Sequence, residues 1–252
     1  MKTIAVANAA GSAGKTTSVV TLAALLAPTK RVVVIDLDGQ ANSTQWLGIN
    51  PSTLKHTVGE VLLGRCTPNE ALMETNTENV RLLPSASSVN ADIVNLRDEV
   101  GREMRLKSAL RKIDADIVLL DCPGTIGLVT IVAMVAADVV VTVTQPTRKE
   151  LEGISELEAT IESVASSYDS DLKLGGIIPC IVPPPSAGRL YVDGMELVRE
   201  SYGKLVSPSI RRAVAAAGAY AHSEPLPDFA PSEGITEDYR KVLAHLQALG
   251  VL

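Results

Sequence analysis

Three short stretches of this 252-residue chain hold side chains that could act together on a phosphate chain. The run Ala9-Ala10-Gly11-Ser12-Ala13-Gly14-Lys15-Thr16-Thr17 combines glycines and small residues with one lysine and adjacent hydroxyls. Small residues let backbone N–H groups approach phosphate oxygens, and a helix beginning there adds positive potential. Gly11, Ser12, Ala13 and Gly14 then form the cradle, Lys15 reaches the β- and γ-phosphates, and Thr16 offers its hydroxyl to Mg²⁺. The strict pattern has glycine at position 9, where this chain has Ala9. The other two stretches are apolar runs ending in aspartate: Ile35-Asp36-Leu37-Asp38-Gly39-Gln40-Ala41-Asn42-Ser43-Thr44 and Leu119-Leu120-Asp121-Cys122-Pro123-Gly124-Thr125. Alone, an aspartate after an apolar strand reads as a helix or turn cap. Beside a phosphate loop it reads as a magnesium holder acting through water, which makes Thr16, Asp36, Asp38 and Asp121 the expected metal set.

The elements that must position these residues are legible as β-branched runs. Strands are expected at Ile4 to Ala7, Arg31 to Ile35, Val80 to Leu83, Ile117 to Leu120, Val139 to Thr144, Gly176 to Ile181 and, less regularly, Leu205 to Ile210. Most are separated by helical patterns, and apolar runs without alternation are strands covered on both faces. The fold class is therefore α/β, with a mainly parallel central sheet flanked by helices, and the length fits one domain over residues 1–252. Ligands of such sheets bind beyond the carboxyl ends of the strands, where all three stretches lie. A last helix over about Ile235 to Leu249 puts Ile235, Tyr239, Val242, Leu243, Leu246 and Leu249 on one core-facing stripe.

Composition removes several classes. With 46% apolar residues and a formal net charge of −6, the chain is neither disordered nor broadly basic. The longest apolar runs are far short of the roughly 20 residues that span a bilayer, and no signal-peptide pattern precedes the first strand. Cytosolic residence and no membrane attachment are the expectations. Cys66, Cys122 and Cys180 show no metal or disulfide spacing, and His56, His222 and His245 show no ligand pairing.

Asn8 to Thr17, Asp36 to Thr44, the Asp-Cys-Pro stretch from Asp121 and Leu151-Glu152-Gly153 resemble the ParA/MinD group of deviant-Walker P-loop ATPases, ParA above all. The similarity runs from Lys2 to about Leu246, with Thr57 to Gly64, Leu82 to Ala86 and Pro225 to Tyr239 as weaker matches in the expected order. The resemblance implies an enzyme that hydrolyses ATP with Mg²⁺ and forms a homodimer around two sandwiched ATP molecules. In that state it would bind nucleoid DNA without sequence preference, until an adaptor protein stimulates hydrolysis. It also implies that Thr17 reaches the α-phosphate, that Asp38 positions or activates the attacking water, and that Asp121 to Gly127 is a second switch. Positioning and charge neutralisation dominate such chemistry.

The chain departs from the group at Ala10, where ParA relatives carry a signature lysine that crosses to the partner's ATP. Sandwiched triphosphates still need compensating charge, and Lys149, with Arg148 beside it, follows the strand Val139 to Thr144 at its ligand end; Lys149 is the expected substitute. Loss of that lysine also resembles the McdA subgroup, which positions carboxysomes through a McdB adaptor; a plasmid or chromosome partition ATPase working with a ParB-like adaptor is the alternative. For DNA, Arg199, Lys204, Arg211 and Arg212 form the most basic segment, with Arg240 and Lys241 adjacent, while Ala215 stands where a ParA arginine contacts DNA. Pro208 to Arg212 is the expected adenine-contacting stretch. With the first strand expected from about residue 3 and the core-facing helix near the end of the sequence, neither a DNA-reading extension nor a basic amphipathic membrane tail is expected. A metabolic P-loop ligase or amidotransferase is the rival from another class.

Overall fold

The computed structural model describes residues 1–8, 14–184, 186 and 188–252, without the side chains of residues 148, 149 and 151. The strands are β1 (Lys2–Ala7), β2 (Val32–Asp36), β3 (Met73–Glu74), β4 (Val80–Leu83), β5 (Ile117–Asp121), β6 (Val139–Thr144) and β7 (Leu174–Pro179). They form one sheet in the order β3-β4-β2-β5-β1-β6-β7. All neighbours are parallel except β3 and β4. The first six helices are α1 (Lys15–Leu26), α2 (Asn42–Trp46), α3 (Val58–Leu62), α4 (Pro68–Ala71), α5 (Val89–Leu96) and α6 (Arg105–Leu110). The remaining six are α7 (Leu128–Ala136), α8 (Arg148–Ser167), α9 (Arg189–Tyr202), α10 (Ala215–Ala221), α11 (Leu226–Phe229) and α12 (Gly234–Ala248).

Successive side chains of a strand face opposite sides, so each central strand feeds two cores. Ile4, Val6, Val34, Leu119 and Val141 join Val19, Val20, Tyr239, Val242 and Leu246 on the face covered by α1 and α12. Ala5, Ala7, Val33, Leu120 and Val140 join Val58, Leu106, Val132 and Leu157 on the other. This double covering makes the strand sequences continuously apolar. The register then aligns the strand ends: Asp121 lies opposite both Val6 of β1 and Asp36 of β2.

The sequence expectations hold for five strands: Val80–Leu83 and Val139–Thr144 as expected, and β1, β2 and β5 with one or both ends shifted by a residue or two. The expected strand at Gly176 to Ile181 lies at Leu174–Pro179 instead. Leu205 to Ile210 is not a strand. A 3₁₀ turn occupies Gly203–Leu205, and the isolated bridges Ile177 to Val206 and Val182 to Arg211 join this segment to its neighbours. Pro208 has no N–H for a ladder, which explains the interruption. The edge strand β3, two residues long, is too short to stand out in the sequence. In α12, Ile235, Tyr239, Val242 and Leu246 are buried as expected, whereas Leu243 and Leu249 are partly exposed. α9 crosses so close to the loop after β6 that a Cβ on Gly194 would lie 2.5 Å from the Pro146 carbonyl oxygen. Among the described residues no helix is long and apolar enough to cross a membrane.

Candidate functional site

Gly14 opens α1 in the left-handed region, at φ 93°, with Cys180 beneath it; a Cβ there would lie 3.6 Å from the sulfur. Glycine takes this conformation without strain, so the chain can turn from the loop directly into the helix. Ser18 Oγ ties the turn down by donating to the Gly14 carbonyl at 2.9 Å, and it lies 3.1 Å from the hydroxyl of Tyr239 on α12. Burial pushes the Cys180 thiol up to about 12, so it acts as a packing residue.

Lys15 is only 7% exposed, and its ammonium donates to Asn8 Oδ1 at the end of β1. Asn8 in turn donates through Nδ2 to the Val143 carbonyl of β6, at 3.3 Å. Burial lowers the Lys15 pKa, against the opposing attraction of Asp121, Cys122, Asp38 and Glu150. A partly desolvated ammonium, held by one amide oxygen, is a strong partner for an incoming anion.

Asp121 accepts two hydroxyls on Oδ2, from Thr16 at 2.8 Å and from Ser43 of α2 at 2.6 Å. Its other oxygen, Oδ1, is buried with no hydrogen-bond partner among the described residues. A buried carboxylate oxygen without a donor is costly, and a metal-bound water supplies the missing donor. Because Thr16 donates its proton to Asp121, its oxygen lone pairs stay available to a cation. These residues fit Mg²⁺.

Asp36 differs in its partners. Its Oδ2 accepts both the N–H and the hydroxyl of Thr44, at 2.9 and 2.7 Å, and its Oδ1 accepts the Asp38 N–H at 3.1 Å. The carboxylate is 0% exposed and bonds to its own chain through both oxygens. Among the described residues, no three His, Cys, Asp or Glu side chains converge as a metal cage. Asp38 Oδ1 accepts the Gln40 N–H at 2.9 Å, at the rim of the site.

Burial pushes the Asp36 carboxyl up to about 7, with the charge of Asp121 adding to the effect. Burial likewise pushes Asp121 up to about 6, against the hydrogen bonds from Ser43 and Thr16. Both folded values lie above the usual carboxylate value of 3.8, so the nucleotide-free folded chain holds protons that the unfolded chain releases. The stability from that difference is complete below about pH 3.8 and is lost as pH rises through about 7. The melting temperature of the nucleotide-free chain is therefore expected to fall across the neutral range, and saturating Mg-nucleotide to flatten that fall by favouring ionised carboxylates. Thermal unfolding in a pH series checks this; a nucleotide-free curve that rises across the range contradicts it.

Next to Gly14 and Thr17 lies a cavity of about 470 Å³ whose far wall includes Ile210, Arg211, Arg212 and Tyr239. Its place beside the first turn of α1 suits a nucleoside, and part of the stretch expected to contact adenine lines it. Arg211, expected on a DNA-facing stripe, instead commits its guanidinium to Asp238, with Nε and Nη2 donating at 2.6 and 2.8 Å. That pairing raises the Arg211 pKa, while for Asp238 the penalty of burial is outweighed by the same bonds and its pKa falls. Arg199 lies at the end of α9 and Lys204 in the 3₁₀ turn, both exposed. Arg240 is held by Glu237 and the Pro231 carbonyl.

Gly11, Ser12 and Ala13 lie outside the described residues, with Ala9 and Ala10, as do the side chains of Arg148 and Lys149. Lys149 itself falls in the first turn of α8, at the ligand end of β6. Sequence reasoning gives no role to Asn8, Ser43 or Thr44, although the two hydroxyls are visible seven and eight residues after Asp36.

A P-loop between β1 and α1 with two aspartate-ended parallel strands beside it defines a nucleoside-triphosphate-binding protein. Residues 1–174 match the family model described as an AAA domain. The sporulation initiation inhibitor protein Soj of Bacillus subtilis is 31% identical over 253 residues, which are 99% of this chain and 99% of Soj. Among solved structures, a Cyanothece McdA–ATP complex superimposes with a TM-score of 0.88 over 100% of this chain and 97% of its own, at 21% identity. A Mycobacterium smegmatis structure described as cobyrinic acid a,c-diamide synthase, with ADP and magnesium, has a TM-score of 0.78 and 34% identity, covering 88% of this chain and 91% of its own. The chain belongs to the ParA/MinD group of P-loop ATPases.

Proposed function

We propose that residues 1–252 act as one ATPase domain that binds Mg-ATP, dimerises around two ATP molecules, holds DNA without sequence preference in that state, and lets go after adaptor-stimulated hydrolysis. The observation that carries the nucleotide part is the Asp121 oxygen without a hydrogen-bond partner among the described residues, on the carboxylate that accepts the Thr16 hydroxyl, one position before Thr17, which lines the cavity of about 470 Å³. ATP and Mg²⁺ also fit the ligands of the solved relatives, ATP in McdA and ADP with magnesium in the smegmatis structure. When bound, the magnesium neutralises β- and γ-phosphate charge. Lys15 exchanges Asn8 for phosphate oxygens, Thr16 and Asp121 hold the hydrated cation, Thr17 faces the α-phosphate side, and Asp38 orients the attacking water. Lys149, in trans, supplies the charge that Ala10 lacks.

The partition reading rests on the Myxococcus xanthus relative named chromosome partitioning protein ParA, 36% identical over 178 residues; the lost lysine at position 10 favours carboxysome positioning with a McdB-like adaptor over partition with a ParB-like one. Either role places the protein in the cytoplasm, on the nucleoid. Arg199 and Lys204 are the DNA contacts of this reading, with Arg212 beside the cavity. A ligase or amidotransferase acting on a small acid is the second reading, favoured by the name of the smegmatis relative.

Duplex DNA of arbitrary sequence is the decisive probe. The chain is expected to bind it with ATPγS and Mg²⁺ but not without nucleotide. The paired reversal Arg199→Glu, Lys204→Glu is expected to weaken binding and to lower the slope of log affinity against log salt by about 0.9 for each DNA phosphate no longer neutralised. Absence of nucleotide-dependent binding, with turnover that requires a small carboxylic acid, selects the second reading.

A further inference from the structure

Asp36 is held on both oxygens by its own chain, and Thr44 completes the arrangement. The Thr44 hydroxyl donates to Asp36 Oδ2 at 2.7 Å while its oxygen accepts the Ser85 N–H at 2.9 Å. A hydroxyl has one proton, so the contact with Ser85 leaves that proton aimed at the carboxylate. Asp36 Oδ1 then receives the Asp38 N–H. One series of bonds therefore runs from the end of β4, through Thr44 and Asp36, to the backbone of Asp38. Thr44, Ser85 and Asp36 are each 0% exposed, so water cannot replace a missing member.

The Asp38 segment is narrow in its freedom for a second reason. The Ala41 N–H donates to the Asp38 carbonyl at 2.9 Å, Ala41 sits at φ 55°, and a Cβ on Gly39 would lie 2.5 Å from Asn90 Oδ1 of α5. The turn thus approaches α5 closely on one side and hangs from Asp36 on the other. Its aim depends on the Asp36 staple.

We propose that Thr44 is a positioning residue for ATP hydrolysis: its hydroxyl locks Asp36 against the Asp38 backbone and so sets the direction of the Asp38 carboxylate. The assignment rests on the ATPase reading above and on the role given there to Asp38. Thr44 acts only through Asp36. A misplacement of about 1 Å in an orienting group can cost about 100-fold in rate, whereas nucleotide binding draws on Lys15, Thr16 and the cavity, while the side chain of Thr44 bonds to Asp36 and Ser85.

The test compares wild type, Thr44→Val, Thr44→Ala and Thr44→Ser in steady-state ATP hydrolysis with Mg²⁺ and in ATPγS binding. Trp46, the single tryptophan of the chain, two positions further along α2, reports by its emission whether that helix stays docked, since its Nε1 donates to the Glu224 carbonyl at 2.8 Å. Thr44→Val is expected to lower kcat about tenfold or more, with KM and ATPγS affinity within about threefold and Trp46 emission unchanged, and Thr44→Ser to restore kcat. Should Thr44→Val not fold, the smaller Thr44→Ala is read in the same way. Equal kcat in the folded hydroxyl-less variant, failure of Thr44→Ser to restore it, a loss confined to KM, or failure of both variants to fold each overturns the assignment. A wild-type chain that turns over no ATP overturns the ATPase reading itself, and the assignment falls with it.

Discussion

Asp38→Ala is expected to leave Mg-ATP bound and unhydrolysed, with single-turnover phosphate release slowed by about 10² to 10⁴. The Asp38 backbone is fixed by Asp36 Oδ1 and its own Oδ1 by Gln40, so the carboxylate stands at the rim of the site in one orientation. Alanine removes that group without disturbing Thr16, Ser43 or Asp121, which carry the metal side. Affinity for ATPγS should therefore stay within about threefold of wild type, the pattern of an interaction made only in the transition state. Because hydrolysis ends the proposed sandwich, the variant should also accumulate as a dimer with ATP, visible by ultracentrifugation. A phosphate-release rate near that of wild type would remove Asp38 from the mechanism.

Lys15→Met is expected to reduce nucleotide-dependent stabilisation while leaving the nucleotide-free chain as stable as wild type or more so. Burial disfavours the Lys15 ammonium, and the lowered pKa says that nearby acids, led by Asp121, do not fully offset that penalty. A group whose charged form is disfavoured in the folded state weakens the fold near neutral pH. Methionine keeps the apolar stem among the same neighbours and removes the desolvated charge. Phosphate oxygens then lose a charge-assisted bond worth about 1.5–3 kcal/mol, roughly 10- to 150-fold in affinity. The measurement is paired thermal unfolding with and without saturating Mg-ADP. A nucleotide-dependent rise equal to wild type, or a markedly less stable nucleotide-free variant, contradicts the argument.

Both predictions trace the same division between stability and function. Asn8 holds Lys15 through an amide rather than a carboxylate, so the lysine is kept in place without being neutralised. Asp121 likewise carries an oxygen that has no hydrogen-bond partner among the described residues, which a stability-optimised core would not contain. These are costs of readiness for an anion and a cation.

The sequence by itself determined the layered α/β fold and the meeting of three strand ends. Continuous β-branched runs can be buried only in a sheet covered on both faces, and parallel strands bring their carboxyl ends to one edge. Lys15, Thr16, Asp38 and Asp121 were accordingly legible as a site. Tertiary structure alone decided how the two buried aspartates differ. Asp36 and Asp121 lie opposite each other on β2 and β5, and each follows an apolar strand. α2 gives Thr44 to one and Ser43 to the other, and Thr16 reaches only Asp121. Bonds from Asp38 and Thr44, two and eight residues along, made Asp36 a backbone staple, whereas Thr16 and Ser43, 105 and 78 residues away in the chain, meet on one oxygen of Asp121 and leave the other without a partner among the described residues. The fate of Arg211 was hidden for the same reason: a local run of basic residues says nothing of Asp238, 27 positions further along, which closes over its guanidinium.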